Sequence, residues 1–399
     1  MALYGSGFPY RGAIYRGDAV SQEPTTEAVG ELDEFVILIY DRDGVLKQRL
    51  TNKVGRGTVT KLEFSLLESG PGNLKLTCDS ALTDISYNYK IEVKLYGTNW
   101  VWYAGYINKL PSENQRLGPY NYAASGYWSI FKNVVVLDKT YTSTSIKLIL
   151  DDLLDDITTR TGIDVRYWPE MISPSAYSVP QINFEGVSVQ EALNQLGEIA
   201  NNHIVGVDEN NYFFFLPRDF SVQKDFILME SRDYSSDTLH GDVSKIINKV
   251  YPKTGKIING SNILSPISDA TSINAYGLRE EVVDVPSIFA SGDDATDMSE
   301  RWAEGFLYEH KEPRVKGSVK NVKQKLNRPL KPKGKLRLIQ QDGTTIEGLV
   351  KEVKYRITNR LEITIKVGWP NNALTNLFVK IQRTAEYNSA LIEMNASQV

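Results

Sequence analysis

Two long stretches of this 399-residue chain repeat one local pattern, in which short runs of alternating apolar and polar residues end at turn-forming clusters. In the first stretch, residues 31–137, Leu62, Phe64 and Leu66 alternate with polar neighbours. The second stretch, residues 236–370, repeats the pattern. Alternation with a period of two indicates strands with one buried face, and many short strands with regular turns are typical of barrels and sandwiches. The sequence therefore predicts a mainly β fold with two β regions.

Between the two β regions the apolar period changes from two to that of a helix. A first helix is predicted from the spacing of Ile146, Ile149, Leu150, Leu153, Leu154 and Ile157, with Gly162 as its end. A capping box, Ser188 to Glu191, predicts the start of a second helix. A hairpin with strands at 203–207 and 212–216 follows it. We interpret residues 138–235 as a small α+β module inserted between the β regions.

The two ends of the chain differ from the rest. Residues 1–30 are rich in Gly, Pro, Ser and Thr and predict an extended arm. Residues 371–399 predict a C-terminal helix, on which Leu374, Phe378, Ile381, Ala385, Asn388 and Ile392 follow a spacing of four and three. This spacing fits a coiled-coil seam as well as a helix packed on its own domain. A further helix is predicted from about 293 to 310.

Several functional classes lack their usual residues. The net charge is −4 with a pI of about 5.7, so no overall attraction to nucleic acid is expected. One cysteine, Cys78, leaves no intrachain disulfide, and the three histidines are far apart in sequence. No nucleophile elbow, phosphate-binding loop, membrane span or signal core is found. We expect a soluble protein made in the cytoplasm, with no catalytic residue, metal or cofactor.

Three groups of charged residues have alternative interpretations. Asp151, Asp152, Asp155 and Asp156 fit a calcium or general-acid site, but a solvated helix face is the favoured interpretation. His310, near a helix C-terminus, is in a place where a cation is favoured. The basic stretch from Lys311 to Arg337 fits contact with DNA, a membrane or an acidic neighbour, although strand alternation would spread its charges over different faces.

The order of these elements resembles one family, the baseplate or tail-associated hub proteins of bacteriophages. The motifs that carry the resemblance over residues 32–370 are Leu66-Leu-Glu-Ser-Gly-Pro-Gly-Asn-Leu74, Trp102-Tyr-Ala-Gly-Tyr-Ile107, Ala124-Ser-Gly-Tyr-Trp-Ser-Ile-Phe131, Glu191-Ala-Leu193, Val207-Asp-Glu-Asn-Asn-Tyr-Phe213, Ile247-Asn-Lys-Val250, Tyr276-Gly-Leu-Arg-Glu280 and Gly334-Lys-Leu-Arg-Leu338. Each motif is short, and their order and spacing carry the likeness.

The resemblance implies two similar tube-type β-barrels, at 31–137 and 236–370, flanking the α+β module at 138–235. Three subunits with two barrels each would match a six-fold tail tube. The implied role is a structural hub in the virion tail tip, assembled in the host cytoplasm, which caps the tube and opens for DNA passage. The implied partners are two further copies of the chain, the distal tail or tube ring, a tip fibre or receptor-binding protein and a tape-measure protein, with DNA only transiently in the lumen.

Interface residues are predicted at both ends of the chain. Arg11 and Arg16 of the arm are expected to meet an adjacent tail protein, and Leu374, Phe378 and Ile381 to mediate trimer or tip contacts. A different hypothesis is a tail-associated cell-wall hydrolase or glycan-binding tip protein. Trp100, Trp102 and Tyr103 would then stack on sugars, whereas packing inside a barrel is the favoured role of these rings.

Overall fold

The fold was analysed in a computed structural model. It describes residues 35–51, 59–95, 100–112, 117–162, 165–173, 178–200, 203–258, 261–285, 295–323, 328–358 and 360–368. The first β region contains β1 (Phe35–Tyr40), β2 (Leu46–Thr51), β3 (Val59–Leu67), β4 (Gly70–Cys78), β5 (Lys90–Leu95), β6 (Val101–Lys109) and β7 (Tyr120–Gly126). These strands pair in the order β3-β4-β7-β6-β5-β1-β2, and every pair is antiparallel.

The middle region mixes helices and short sheets. After a 3₁₀ helix at Tyr127–Lys132 it contains β8 (Val135–Ser145), α1 (Ile146–Thr161), β9 (Arg166–Ile172), β10 (Ser178–Ser188), α2 (Val189–Ile199), β11 (His203–Val207) and β12 (Tyr212–Pro217). Strand β10 pairs with β8, and β12 lies between β11 and β9. The apolar faces of α1 and α2 share one core with Phe131, Phe184 and Phe213.

The third region returns to β structure. It contains β13 (Val222–Met229), β14 (Ser236–Asp237), β15 (His240–Asp242), a 3₁₀ helix at Val243–Lys245, β16 (Lys249–Ile258), β17 (Ser261–Ile263), β18 (Ile267–Ser268), α3 (Ala270–Tyr276), β19 (Glu280–Asp284), α4 (Ala295–His310), β20 (Arg314–Lys320), β21 (Lys335–Ile339), β22 (Thr345–Ile357) and β23 (Leu361–Val367). Strands β16 to β19 form a small separate sheet against α4. The others join the large sheet.

Among the described residues, one strand pairing joins the first and third regions. Strand β22 runs antiparallel to β3, from Glu352 opposite Leu67 to Ile357 opposite Leu62. Because β22 also pairs with β23 and β21, the β regions form one continuous sheet through this seam. They share one hydrophobic core as well.

Aromatic side chains fill the core beneath the seam. The ring of Tyr355, on β22, stacks on Phe64, on β3, at 4.9 Å between ring centroids, and Trp102 packs edge-on against it at 5.4 Å. All three side chains are buried. The phenol oxygen of Tyr355 accepts a hydrogen bond of 2.8 Å from the backbone N–H of Leu330, which satisfies the polar end of a buried tyrosine. The seam is therefore packed as one core.

The structure confirms the mainly β fold class with an inserted α+β region. Helix α1 ends at Gly162, whose φ of +69° is the left-handed conformation that favours glycine at this position. Helix α2 begins at Ser188, whose side chain accepts from the N–H of Glu191 as predicted. The short helix α3 was not predicted. The domain boundaries stay a prediction, and the N-terminal arm and C-terminal helix lie outside the described residues.

Across the part of the chain that the structure describes, no helix combines the length and apolar character needed to cross a membrane.

Candidate functional site

Part of the continuous sheet has one apolar face and one polar face. Along β3, β4, β7, β20, β22 and β23, alternate side chains enter the shared core, and those between them point the other way. We call the second set the polar wall. Its members are Lys61, Glu63, Ser65, Asn73, Lys75, Thr77, Asn121, Ala123, Ser125, Ser318, Lys320, Glu352, Lys354, Arg356, Glu362, Thr364 and Lys366. All of these but Ala123 are polar or charged, and the exposed Leu67 of β3, opposite Glu352 of β22, lies on the same face.

The polar wall is more positive than the chain as a whole. Its described residues include six basic and three acidic side chains, a net charge of +3, whereas the whole chain has a net charge of −4. The guanidinium of Arg356 lies 3.3 Å from a carboxylate oxygen of Glu63 and 3.6 Å from one of Glu362. Lys366 pairs with Glu352 at 2.6 Å. These pairs are partly exposed, so each is expected to contribute less than about 1 kcal/mol to stability.

A second candidate site lies where the first β region meets the middle region. The turn between β3 and β4 touches β11, and the N–H of Val207 donates to the carbonyl of Ser69 at 3.1 Å. Two glycines allow this approach. A Cβ atom on Gly70 would lie 1.9 Å from the carbonyl oxygen of Val207, and one on Gly206 would lie 2.2 Å from that of Ser69. Any larger residue would push the two backbones apart.

Beside this contact lies a cleft of about 710 Å³, the junction cleft, lined by residues from all three regions. Arg218, which follows β12, is one of these lining residues. The Arg218 guanidinium lies 3.3 Å from Glu68, in the β3–β4 turn, and 3.7 Å from Glu309, on α4. The three side chains are only 13%, 16% and 10% exposed, respectively. One buried cation therefore links three separate parts of the chain.

Burial shifts the pKa values of ionisable groups around the junction cleft. Burial raises the pKa of Glu68, against the opposing effect of Arg218. It also raises the pKa of Glu198, on α2, to about 8, and the negative charge of Glu309 adds to this. Burial lowers the pKa of the Lys351 ammonium to about 8, although Glu68 opposes the change. Charge is therefore energetically costly in this cleft, because these groups have lost much of their hydration.

His310 corrects the expectation of a cation at the end of its helix. Burial, with the nearby positive charge of Arg314, lowers its pKa to about 4. Its Nδ1–H donates to the carbonyl of Phe306 at 2.7 Å, because a carbonyl oxygen can only accept. Its Nε2 therefore carries a lone pair, and it contacts the guanidinium of Arg314. The imidazole is neutral near pH 7.

Asp151, Asp152 and Asp156 of α1 form ion pairs within the chain. Lys139 lies 2.8 Å from Asp152 and 2.9 Å from Asp156, and Lys147 pairs with Asp151 at 2.7 Å. The four aspartates therefore lie on a polar helix face, as the favoured interpretation has it. Within the described residues, no group of three His, Cys, Asp or Glu side chains is arranged to hold a metal ion.

The basic stretch from Lys311 to Arg337 does not form one patch. Most of its described cations have acidic partners from different elements: Lys311 with Asp269, Arg328 with Asp225, Lys331 with Glu209, Lys335 with Glu312 and Arg337 with Glu347. Separate acidic partners keep these cations from forming one patch, whereas strand alternation does not separate Lys335 from Arg337, which lie two residues apart on β21. From this stretch, Lys320 is the cation that belongs to the polar wall.

The aromatic residues proposed for sugar stacking mostly lie in the core. Trp102 and Tyr103 are fully buried, whereas Trp100 is 47% exposed. Stacking of Trp102 or Tyr103 on a sugar is therefore wrong for this structure. The predicted interface residues Arg11, Arg16, Leu374, Phe378 and Ile381 lie outside the described residues, so their role stays a prediction.

Sequence reasoning missed both candidate sites. The alternation that produces the polar wall is visible in each strand, but the pairing of β22 with β3 has no local signal. Glu68, Arg218 and Glu309 lie far apart in sequence, and nothing in their neighbours indicates that they meet.

Comparison with known proteins gives matches in structure but not in sequence. No protein-family model matches the chain, and no curated protein has a similar sequence. The 43 kDa tail protein of prophage MuSo2 from Shewanella oneidensis superposes with a TM-score of 0.60 at 13% identity, covering 85% of this chain and 98% of that protein. A tail protein from Neisseria meningitidis MC58 gives 0.58 at 10% identity, with 84% and 96% covered.

A third match is the prophage tail protein gp18 from Listeria monocytogenes EGD-e, with a TM-score of 0.55 at 13% identity. It covers 88% of this chain and 99% of that protein. The matched proteins come from three bacterial hosts, and each aligns over nearly its whole length. The resemblance to tail hub proteins is therefore confirmed at the level of fold: this chain has the fold of phage tail proteins.

Proposed function

We propose that this protein is a structural hub of a bacteriophage tail tip, which forms a homotrimer at the distal end of the tail tube. Its near full-length likeness in fold to three tail proteins, two of them from prophages, supports a tail role. The observation that carries the proposal is the seam between β22 and β3, which gives the two β regions one continuous polar wall.

The polar wall has the properties of a channel surface. A surface past which DNA moves must stay hydrated and must not offer large apolar patches that adhere to other molecules. The wall meets both needs, because its side chains are almost all polar while the core lies on the other face of the sheet. Three copies, each contributing two β regions, would present six similar surfaces to a six-fold tube. We therefore assign the polar wall to the lumen.

The partners follow from this position. The distal tail or tube ring would lie above the hub, and a tip fibre or receptor-binding protein below it. Arg11 and Arg16 are assigned to the first contact, and Leu374, Phe378 and Ile381 to trimer or tip contacts. A tape-measure protein and DNA would occupy the lumen before and during ejection. The role is structural, in the virion tail tip, after assembly in the host cytoplasm.

The molecular mass in solution tests the proposal. Each chain has a mass of 44.9 kDa, so sedimentation or mass photometry should find a species three times as heavy. A chain that stays monomeric at micromolar concentration, alone and with its tail partners, would contradict the hub. Clearing of purified cell wall by the protein, abolished by single acid substitutions, would support the hydrolase instead.

A further inference from the structure

A shallow depression lies in the polar wall, where β20, β22 and β23 meet β3. It has a volume of about 250 Å³ and is lined by Glu63, Lys320, Asn321, Lys354, Arg356, Glu362 and Thr364. Three of these lie in one row across neighbouring strands, because Lys320 of β20 is opposite Thr364 of β23, which is opposite Lys354 of β22. Strands in a sheet are about 4.8 Å apart. The Cα atoms of the two lysines are therefore about 10 Å apart, and Thr364 with its hydroxyl lies between them.

Charge in the depression is unevenly balanced. Both acids, Glu63 and Glu362, lie within ion-pair distance of Arg356. Lys320 and Lys354 are exposed, and no carboxylate of the described residues lies within 4.0 Å of either ammonium. The depression therefore has two available cations beside a neutral donor, the Thr364 hydroxyl, while the Asn321 amide already donates to the Ser235 hydroxyl at 2.8 Å.

This set of groups suits a phosphate group. Lysines bind phosphate as point charges, and hydroxyl and amide groups add hydrogen bonds to its oxygens. Contacts to phosphate carry no sequence information, so they suit a surface that meets every part of a genome in turn. A row of two lysines is also weak enough to release what it binds, because its affinity depends on salt.

We propose that the depression between Lys320 and Lys354 is a phosphate subsite for the backbone of duplex DNA. This inference rests on the proposed function, since it takes the polar wall as the lumen surface. It also assigns the contact to particular residues: Lys320 and Lys354 contact phosphate oxygens, Thr364 donates between them, and Arg356 stays with its two glutamates.

Two double variants with the same change of charge test the subsite. K320A/K354A removes its cations, and K132A/K224A removes two exposed lysines outside the polar wall. Binding of a short fluorescent DNA duplex is measured by anisotropy over a range of salt concentrations. We expect K320A/K354A to lose about tenfold in affinity at low salt, and its plot of log K against log salt to become shallower by about 1.8, since each phosphate contact contributes about 0.9. K132A/K224A should match the unmodified protein.

Equal DNA binding by the two double variants would overturn the subsite. Inorganic phosphate is the second probe: competition with DNA supports the assignment, whereas phosphate binding that depends on Lys320 and Lys354 without any effect on DNA binding overturns it. The molecular mass of each variant separates this test from the larger proposal. If the protein is a trimer and the two variants bind alike, the subsite alone fails. If the unmodified chain is a monomer, the hub itself fails.

Discussion

The polar wall and the junction cleft hold the same kinds of charged residue under opposite conditions. On the wall, Arg356 lies between Glu63 and Glu362 with its side chain 49% exposed. In the cleft, Arg218 lies between Glu68 and Glu309 with its side chain 13% exposed. Each arginine has a glutamate on either side, and the distances are similar. The two arginines differ in solvent exposure. This difference should determine how much each one contributes to the free energy of unfolding.

The contrast indicates two roles for charge in one molecule. Solvated charges on the wall interact weakly, so the surface is hydrated and tolerant of substitution. Desolvated charges in the cleft are energetically costly unless they are paired. Removing one partner therefore leaves the remaining charges desolvated and uncompensated. The wall is therefore suited to transient contact and the cleft to holding three regions together. Four substitutions test this contrast.

Arg218→Met should be the most damaging. It removes the cation between Glu68 and Glu309 and leaves two buried carboxylates without it, for which we expect a loss of about 3 kcal/mol in the free energy of unfolding. Denaturation with urea measures the loss. A variant as stable as the parent would show that the junction cleft does not depend on this arginine.

Gly206→Ala should be the next most damaging. The new methyl group would meet the carbonyl oxygen of Ser69 at 2.2 Å, so the β3–β4 turn must move away from β11. Overpacking of this kind costs about 2 kcal/mol. Gly241→Ala is the control, since its Cβ would find its nearest neighbour at 3.9 Å and should change stability by less than about 0.5 kcal/mol. Equal midpoints for the two variants in thermal unfolding would contradict the close contact.

Glu198→Gln tests the junction cleft through pH. The folded-state pKa of Glu198 is raised to about 8, chiefly by burial. The unfolded carboxyl ionises first, near its usual pKa of about 4.3. Stability should therefore fall as pH rises between these values and change no further above about pH 8. The variant lacks this fall, so we expect it to match the parent at pH 4 and to be more stable than the parent at pH 8.

The control for that pH series is Glu304→Gln, an exposed position on α4. The free energy of unfolding of Glu304→Gln should differ little from that of the parent at every pH. A stability difference for Glu198→Gln that does not vary between pH 4 and pH 8 would show that its carboxyl ionises as it does in water.

Arg356→Gln should have the smallest effect. It breaks two partly exposed ion pairs on the polar wall, which together should contribute less than about 1 kcal/mol. The same urea titration as for Arg218→Met gives a direct comparison. If Arg356→Gln destabilises the chain as much as Arg218→Met, the distinction between solvated and desolvated charge does not hold here.

Local structure was largely predictable from the sequence. The apolar spacing from Ile146 to Ile157 gave α1, and Ser188 with Glu191 gave the start of α2. The turn at Asp208 to Asn211 was predicted between β11 and β12. In each case, the residues that determine the element are neighbours along the chain. Short-range periodicity and capping contain all the information that is needed.

The candidate sites were not predictable for the opposite reason. Tyr355 lies in the second alternating stretch, but its strand partner, which contains Phe64, lies almost 300 residues earlier in the sequence. Any alternating strand of similar length has the same local pattern, so the pairing is decided by tertiary packing. The meeting of Arg218 with Glu68 and Glu309 depends on that packing in turn. His310 shows the same limit, since its burial outweighs its position at a helix C-terminus.

The most direct measurement is a cryo-electron microscopy reconstruction of the purified protein, in which the orientation of each subunit can be seen. We predict a three-fold ring in which β20, β23, β22, β3, β4 and β7 of every subunit turn the polar wall toward a central channel. A ring with the polar wall on its outer surface, or particles with a single subunit only, would contradict the assignment of this sheet to the lumen of a tail hub.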